Sequence, residues 1–147
     1  MRHDDSANTT DDPKLALVRQ RRRVIRRTQL LSVRASRTLL ESMIAADVIV
    51  LATPVYFFGK CAQLKTVIDR TVARYTAIAN KEFYFIVTAA VGSKRPLERT
   101  IEGLRGFTSC LTGAKEKGIV YGTGAWEVGD ILSRPAFEEA YEMGKSV

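Results

Sequence analysis

Cysteine is scarce in this 147-residue chain: Cys61 and Cys110 are the only two, in no metal-ligand spacing. Two thiols without an export signal exclude a disulfide framework and read as reduced residues of a cytoplasmic protein. Long apolar runs are missing as well. The longest, VIVLA and FYFIV, are strand-sized and far short of a bilayer span, so no membrane association is expected. The N-terminus is polar and acidic, with no basic stretch leading into an apolar one, which argues against a secretory leader. Glycine is absent before Gly59, and every Phe, Tyr and Trp lies at Tyr56 or later. The first 38 residues therefore lack both the turn glycines and the bulky apolar side chains that could offset the entropy of ordering them.

The formal charge of +7 belongs to the same segment. Residues 1–38 hold ten Lys/Arg against four Asp/Glu, much of it in RQRRRVIRR, whereas the remainder is nearly neutral, thirteen against twelve. The expected organisation is a basic, poorly ordered or atypical segment over 1–38 and an α/β domain over 39–147. Arginine blocks can bind phosphate backbones through charge. No aromatic side chain interleaves this one, and a solvated tail accounts for it more simply, so nucleic acid is not the expected partner. The competing reading from another class keeps that contact: a non-enzymatic, truncated α/β binding module whose arginine arm meets nucleic acid or acidic partners.

From Leu39 onward the pattern is regular. LLESMIAA sets Leu40, Met43 and Ile44 on one helix face, and DVIVLA reads as a short strand buried on both faces. CAQLKTVIDRTVARYTAIA predicts a long helix presenting Leu64, Val67, Ile68, Val72 and Tyr75. EFYFIVTAA is a second buried strand. RPLERTIEGLRGFTSCLTG predicts a helix with Pro96 in its first turn, Leu97, Ile101, Leu104 and Leu111 inward, and Gly113 at its end. GIVYGTG is a third strand and RPAFEEAYEMGK a last short helix. Strands that begin about 35 residues apart and alternate with helices predict crossover units, hence a doubly wound parallel sheet.

In such sheets ligands bind beyond the carboxyl ends of the strands. The stretch TPVYFFG, Thr53 to Gly59, leaves one of those ends. Pro54 biases Thr53 toward extended geometry, so the chain is expected to leave the sheet extended, turn at Gly59 and expose successive amides. Amides and aromatic faces together suit a flat heterocycle. The same three aromatics could instead cover the sheet end or build a subunit interface, and pattern alone leaves both readings open.

The segment ADVIVLATPVYFFGKCAQLKTVIDR resembles the signature of the flavodoxin-like NADPH-dependent FMN reductase family and its iron–sulfur flavoprotein relatives. Pro54, Tyr56, Lys65, Asp69 and Arg70 stand at that signature's spacing, and RTIEGLRGF and GTGAW are similar to later segments of such flavoproteins. The resemblance covers about Leu39 to Val147. It implies a flavodoxin-like fold with FMN at the carboxyl edge of the sheet. Thr53, Pro54, Val55, Tyr56, Phe57, Phe58 and Gly59 would line the ring mainly through backbone groups, with Ala90, Val91 and Gly92 as a second wall. It further implies NAD(P)H as cosubstrate and a quinone, flavin or other small molecule as electron acceptor; a homo-oligomer is expected instead from the sheet's N-terminal incompleteness. The cofactor would do the chemistry, so no catalytic acid, base or nucleophile is expected. Lys65, Asp69 and Arg70 read as structural, Cys61 as a small apolar residue or a reactive thiol, and Trp126 as a ring contact, subunit contact or surface residue. No metal is expected, since the cysteine cluster of the iron–sulfur relatives is absent.

One part of the family pattern is not found. Its members open with a strand and a Ser/Gly-rich loop that holds the FMN phosphate. Only 46 residues precede Asp47 here, and none is glycine. SVRASRT, Ser32 to Thr38, has a similar flavour but abuts the LLESMIAA helix, leaving no room for the intervening strand and helix. An N-terminally incomplete sheet, weakened flavin affinity and an apolar edge that favours oligomerisation are the expected consequences.

Overall fold

The computed structural model describes the backbone of residues 33–147 and side chains from residue 37; KLALV, RQRRR and most of the basic segment lie outside the described residues. Helix α1 (Val33–Ala45) leads into strand β1 (Val48–Tyr56), a two-residue strand β2 (Gly59–Lys60), helix α2 (Ala62–Arg70) and strand β3 (Glu82–Ala89). Helix α3 (Glu98–Thr108), strand β4 (Lys115–Thr123) and helix α4 (Pro135–Lys145) complete the order, with short 3-10 turns at Tyr75–Ala77, Arg95–Leu97 and Asp130–Ser133. The sheet runs β2-β1-β3-β4. β1, β3 and β4 are parallel, as the crossover pattern predicts, and only β2 is antiparallel.

The two faces of the sheet are filled differently. Ile49 and Leu51 from β1 and Phe83, Phe85 and Val87 from β3 point to one side, where they form the core with Met43 of α1 and Leu97, Ile101 and Leu104 of the α3 region. Phe107 of α3 meets the Phe83 ring edge-on, centroids 6.4 Å apart, a favoured aromatic arrangement. The other side takes α4 against β4. A side chain at Gly118 would come within 3.1 Å of both Met143 Sδ and Tyr84, so the helix can settle there only over a bare backbone.

Three expectations are corrected. β1 is not buried on both faces: its burial alternates, with Ile49, Leu51 and Thr53 inward and Val50 (37% exposed), Ala52 and Pro54 outward. The cause is position: α4 packs on β4, at the far side of β3, and the outer side chains of β1 stay exposed. The long helix predicted after β2 ends at Arg70, leaving Val72 and Tyr75 exposed. Thr71 draws its own hydroxyl to the Ile68 carbonyl at 2.8 Å, and its amide bonds the same oxygen, tightening the chain into turns. Helix α3 stops at Thr108, five residues before Gly113, and Leu111 reaches the core from the turn that follows.

Candidate functional site

Register brings three strand ends level. Pro54 of β1 pairs with Thr88 of β3, which pairs with Gly122 of β4. The segments that follow, Thr53–Gly59, Ala90–Gly92 and Gly124–Trp126, therefore emerge side by side at the carboxyl edge, where open parallel sheets take their ligands. Of the residues expected at a site, both groups are thus brought to one edge.

The first segment is a hairpin rather than an extended exit. β1 continues through Tyr56, turns at Phe57 and Phe58, and returns so that Tyr56 pairs with Gly59 and Val55 with Lys60. Gly59 is not the turning residue. Both central positions of this two-residue hairpin have positive φ, 49° at Phe57 and 65° at Phe58, because the primed turns that suit strand twist require it. Asparagine and glycine normally fill those positions; a bulky aromatic there is a backbone outlier that costs energy. The side chains gain little burial in return: Tyr56 is 63% exposed, Phe57 101% and Phe58 53%.

Three internal contacts hold the hairpin. The buried Thr53 hydroxyl accepts the Cys61 N–H at 2.9 Å and donates to the Pro54 carbonyl at 2.8 Å, so it fastens the base of the hairpin to the start of α2. Thr100, buried in α3, donates its hydroxyl to the Phe58 carbonyl at 3.0 Å. Lys60 Nζ donates to the Gly103 carbonyl at 3.2 Å, and burial, then the charge of Lys65, lowers the pKa of that amine. Arg99 lies over the Phe58 ring, 5.3 Å from its centroid. Part of the loop's main chain is therefore taken up within the protein, and Thr53 offers no free side chain. The aromatic faces of Tyr56 and Phe57 remain outward.

The second and third segments are stitched to each other. The Gly124 N–H donates to the Val91 carbonyl at 3.0 Å, and the Ala125 N–H to the Ala89 carbonyl at 3.4 Å. Gly124 has φ 72°, and the Arg134 guanidinium packs over it, one N–H donating to its carbonyl at 2.8 Å. Gly92 faces open space. Trp126 is 79% exposed, and its loop is organised by Asp130, whose Oδ2 accepts the Trp126 and Glu127 amides at 3.0 and 2.8 Å. Those two amides hold the Asp130 carboxyl below its ordinary pKa.

Lys65 and Asp69 form the exposed i, i+4 pair expected of them, at 2.5 Å, on the outside of α2. Cys61 and Cys110 are free thiols. Thr100, Arg99, Asp130 and Arg134 were not singled out in the sequence. Thr100, Arg99 and Arg134 act on loop groups ten or more positions away, and Asp130 on loop amides three and four positions before it, and no motif spacing marks such contacts. Farther along α3, Arg105 grips Glu116 of β4 through Nε and Nη2 at 2.8 and 2.9 Å and Glu102 at 2.6 Å. The charge-assisted bond to Arg105 keeps the Glu116 carboxyl below its ordinary pKa.

Comparison with known proteins agrees with this architecture. An FMN-dependent NADH:quinone oxidoreductase of Thiobacillus denitrificans is 32% identical, the match covering 69% of this chain and 62% of that protein, so the chain spans less than two thirds of its relative's length. The solved structure of the Trp repressor binding protein from Bacillus subtilis superposes with a TM-score of 0.64 at 22% identity, covering 76% of this chain and 74% of that one. A flavodoxin, WrbA-like protein from Agrobacterium tumefaciens gives 0.54 at 17% identity, covering 72% and 71%. The fold is α/β and flavodoxin-like. The family model described as NADPH-dependent FMN reductase matches residues 30–118, across β1, the aromatic hairpin, β3 and α3, and the chain belongs to the NADPH-dependent FMN reductase family.

Proposed function

We propose that this chain is the flavin-handling part of an FMN-dependent NAD(P)H oxidoreductase, with the isoalloxazine ring against the carboxyl-edge loops Thr53–Gly59 and Ala90–Gly92. The observation that carries the reading is the aromatic hairpin: two phenylalanines held at positive φ, unburied, beside the strand ends of a sheet of this family. A turn that costs energy and gains little packing is more economically explained by binding than by folding. The described residues fit the ring. Tyr56 and Phe57 offer aromatic faces, Ala90 and Gly92 leave the opposite wall low, and a Cβ at Gly92 would meet nothing within 4 Å.

When bound, FMN supplies the redox chemistry, accepting a hydride equivalent from reduced nicotinamide and passing electrons to a small acceptor. The chain's own contribution is placement. Thr53, Thr100 and Lys60 fix the hairpin against α2 and α3, and the Gly124–Val91 and Ala125–Ala89 bonds fix the second wall. No protein acid or base is assigned. The Thiobacillus relative, an FMN-dependent NADH:quinone oxidoreductase, favours a quinone as acceptor. Among the described residues no helix is long and apolar enough to cross a membrane. The exposed outer face of β1, with Val50 at its centre, favours a homo-oligomer. The composition break near residue 39 supports a distinct basic arm, although helix α1 starts at Val33 and so carries the domain six residues upstream of that break.

Titration of the purified chain with FMN, followed by flavin fluorescence and by absorption near ~450 nm, tests the reading. Saturable quenching that weakens in a Tyr56→Ala variant is the expected result. Flavin that stays free at concentrations of about 1 mM, a binding energy of only ~4 kcal/mol, would overturn it.

A further inference from the structure

Beside the second wall lies a cavity that the ring does not need. Its volume is about 280 Å³, between the loop after β3 and the start of α4, and Gly92, Lys94, Tyr121, Gly124, Arg134 and Glu139 are among its lining residues. Two of these are cations that no described carboxylate neutralises directly. Lys94 Nζ stands 5.1 Å from the centroid of the Tyr121 ring and enters no ion pair. Arg134 spends one N–H on the Gly124 carbonyl, and the rest of its fork is left for another acceptor. Tyr121 lines the cavity as well, and burial first, then the Glu98 carboxylate, raises the pKa of its phenol. Glu139 is the one acidic side chain in the lining, and Asp130 faces Arg134 only through longer-range charge.

We propose that this cavity is a subsite for a phosphate-class anion, taken by Lys94 as a point charge and by Arg134 through its remaining N–H groups. The chemistry is the usual one: a guanidinium fork matches tetrahedral oxyanions, and an ammonium adds charge without directional demand. The volume admits a phosphate or diphosphate but not an entire dinucleotide. Because Gly92 and Gly124 belong both to this cavity and to the loops beside the proposed flavin position, an anion bound here is attached to something that reaches the ring, or is free. The diphosphate of a reduced pyridine dinucleotide fits the first description and inorganic phosphate the second. The identity of the dinucleotide source rests on the oxidoreductase reading; the anion subsite itself does not.

Calorimetric titration of the full chain with inorganic diphosphate at low ionic strength tests the subsite. Lys94→Gln and Arg134→Gln should each weaken binding about tenfold, the scale of one charge-assisted hydrogen bond. Arg134→Gln also frees Gly124, so the decisive partner is Glu139→Gln, an exposed position whose loss of negative charge should tighten diphosphate binding. A merely disturbed loop would not tighten it. FMN titration of the Lys94 and Glu139 variants should match that of the parent, so failure of the subsite and failure of the flavin reading give different results. Displacement of bound diphosphate by NADPH or NADH assigns the subsite to the dinucleotide; diphosphate that stays bound assigns it to the free anion. Absence of diphosphate binding, or equal affinity in the parent and all three variants, would sink the proposal.

Discussion

Two triplets of aromatics in neighbouring strands have opposite fates. Phe83-Tyr84-Phe85 in the middle of β3 is buried, the two phenylalanines completely, while Tyr56-Phe57-Phe58 at the end of β1 is open to water. Their composition is the same and their hydrophobicity identical. What differs is the neighbourhood: β3 has a strand on either side and α3 packed on it, whereas the other triplet has run past the last paired residue of its parallel ladder. Burial near the centre of a sheet is enforced by geometry. Beyond the strand end the same side chains keep only the contacts their turn allows, and the turn that holds them is itself costly. One triplet contributes to stability, and the other draws on it.

Truncation should separate the two most sharply. Phe85→Ala removes a fully buried ring from the core and should destabilise the fold by about 3–5 kcal/mol in chemical denaturation. A loss below about 1 kcal/mol would mean that β3 is less tightly packed than its burial indicates. The hairpin should respond with the opposite sign. Phe57→Asn places at φ 49° a residue that tolerates that conformation, with no packing to lose. The variant should be more stable by up to about 1 kcal/mol while binding FMN less tightly. Were it to lose stability instead, the exposed ring would have a structural partner, and the contrast between the triplets would fail.

The smallest effect concerns acidity at the third loop. Asp130 has its pKa lowered by the amides it accepts, so its contribution is complete above the ordinary carboxylate range and disappears as pH falls through the lowered value. Trp126 is the only tryptophan, and its emission should change as the pH is taken from neutral to below about 4. Asp130→Ala should show the acid-form emission already at neutral pH. An acid transition of unchanged size in that variant would assign it to another carboxylate.

Much of the fold is legible before any coordinates. Short apolar runs, five residues long in β1 and β3 and shorter in β4, separated by helical periodicity, identify these strands and their parallel order, because crossover connections leave few alternatives. Leu97, Ile101 and Leu104 are correctly inward, since helical spacing fixes which residues share a face. Where local chemistry competes with periodicity, the reading fails. Val72 and Tyr75 keep helical spacing, yet the Thr71 hydroxyl and amide both turn to the Ile68 carbonyl and the helix stops. The hairpin was hidden for a similar reason. Its turn lacks the Asn-Gly signal that marks such turns, and the bonds that hold it come from Thr53 and Thr100, the latter 42 positions from its acceptor.

By itself, then, the sequence determined the alternation of strand and helix and the family. These follow from patterns repeated over many residues, in which each position reinforces the next. Tertiary structure alone decided which face of β1 stays bare, that Phe57 and Phe58 rather than Gly59 make the turn, and that Lys94 and Arg134 share a cavity. Those outcomes depend on which elements come to lie side by side, and a single contact between residues far apart in the chain leaves no periodic trace.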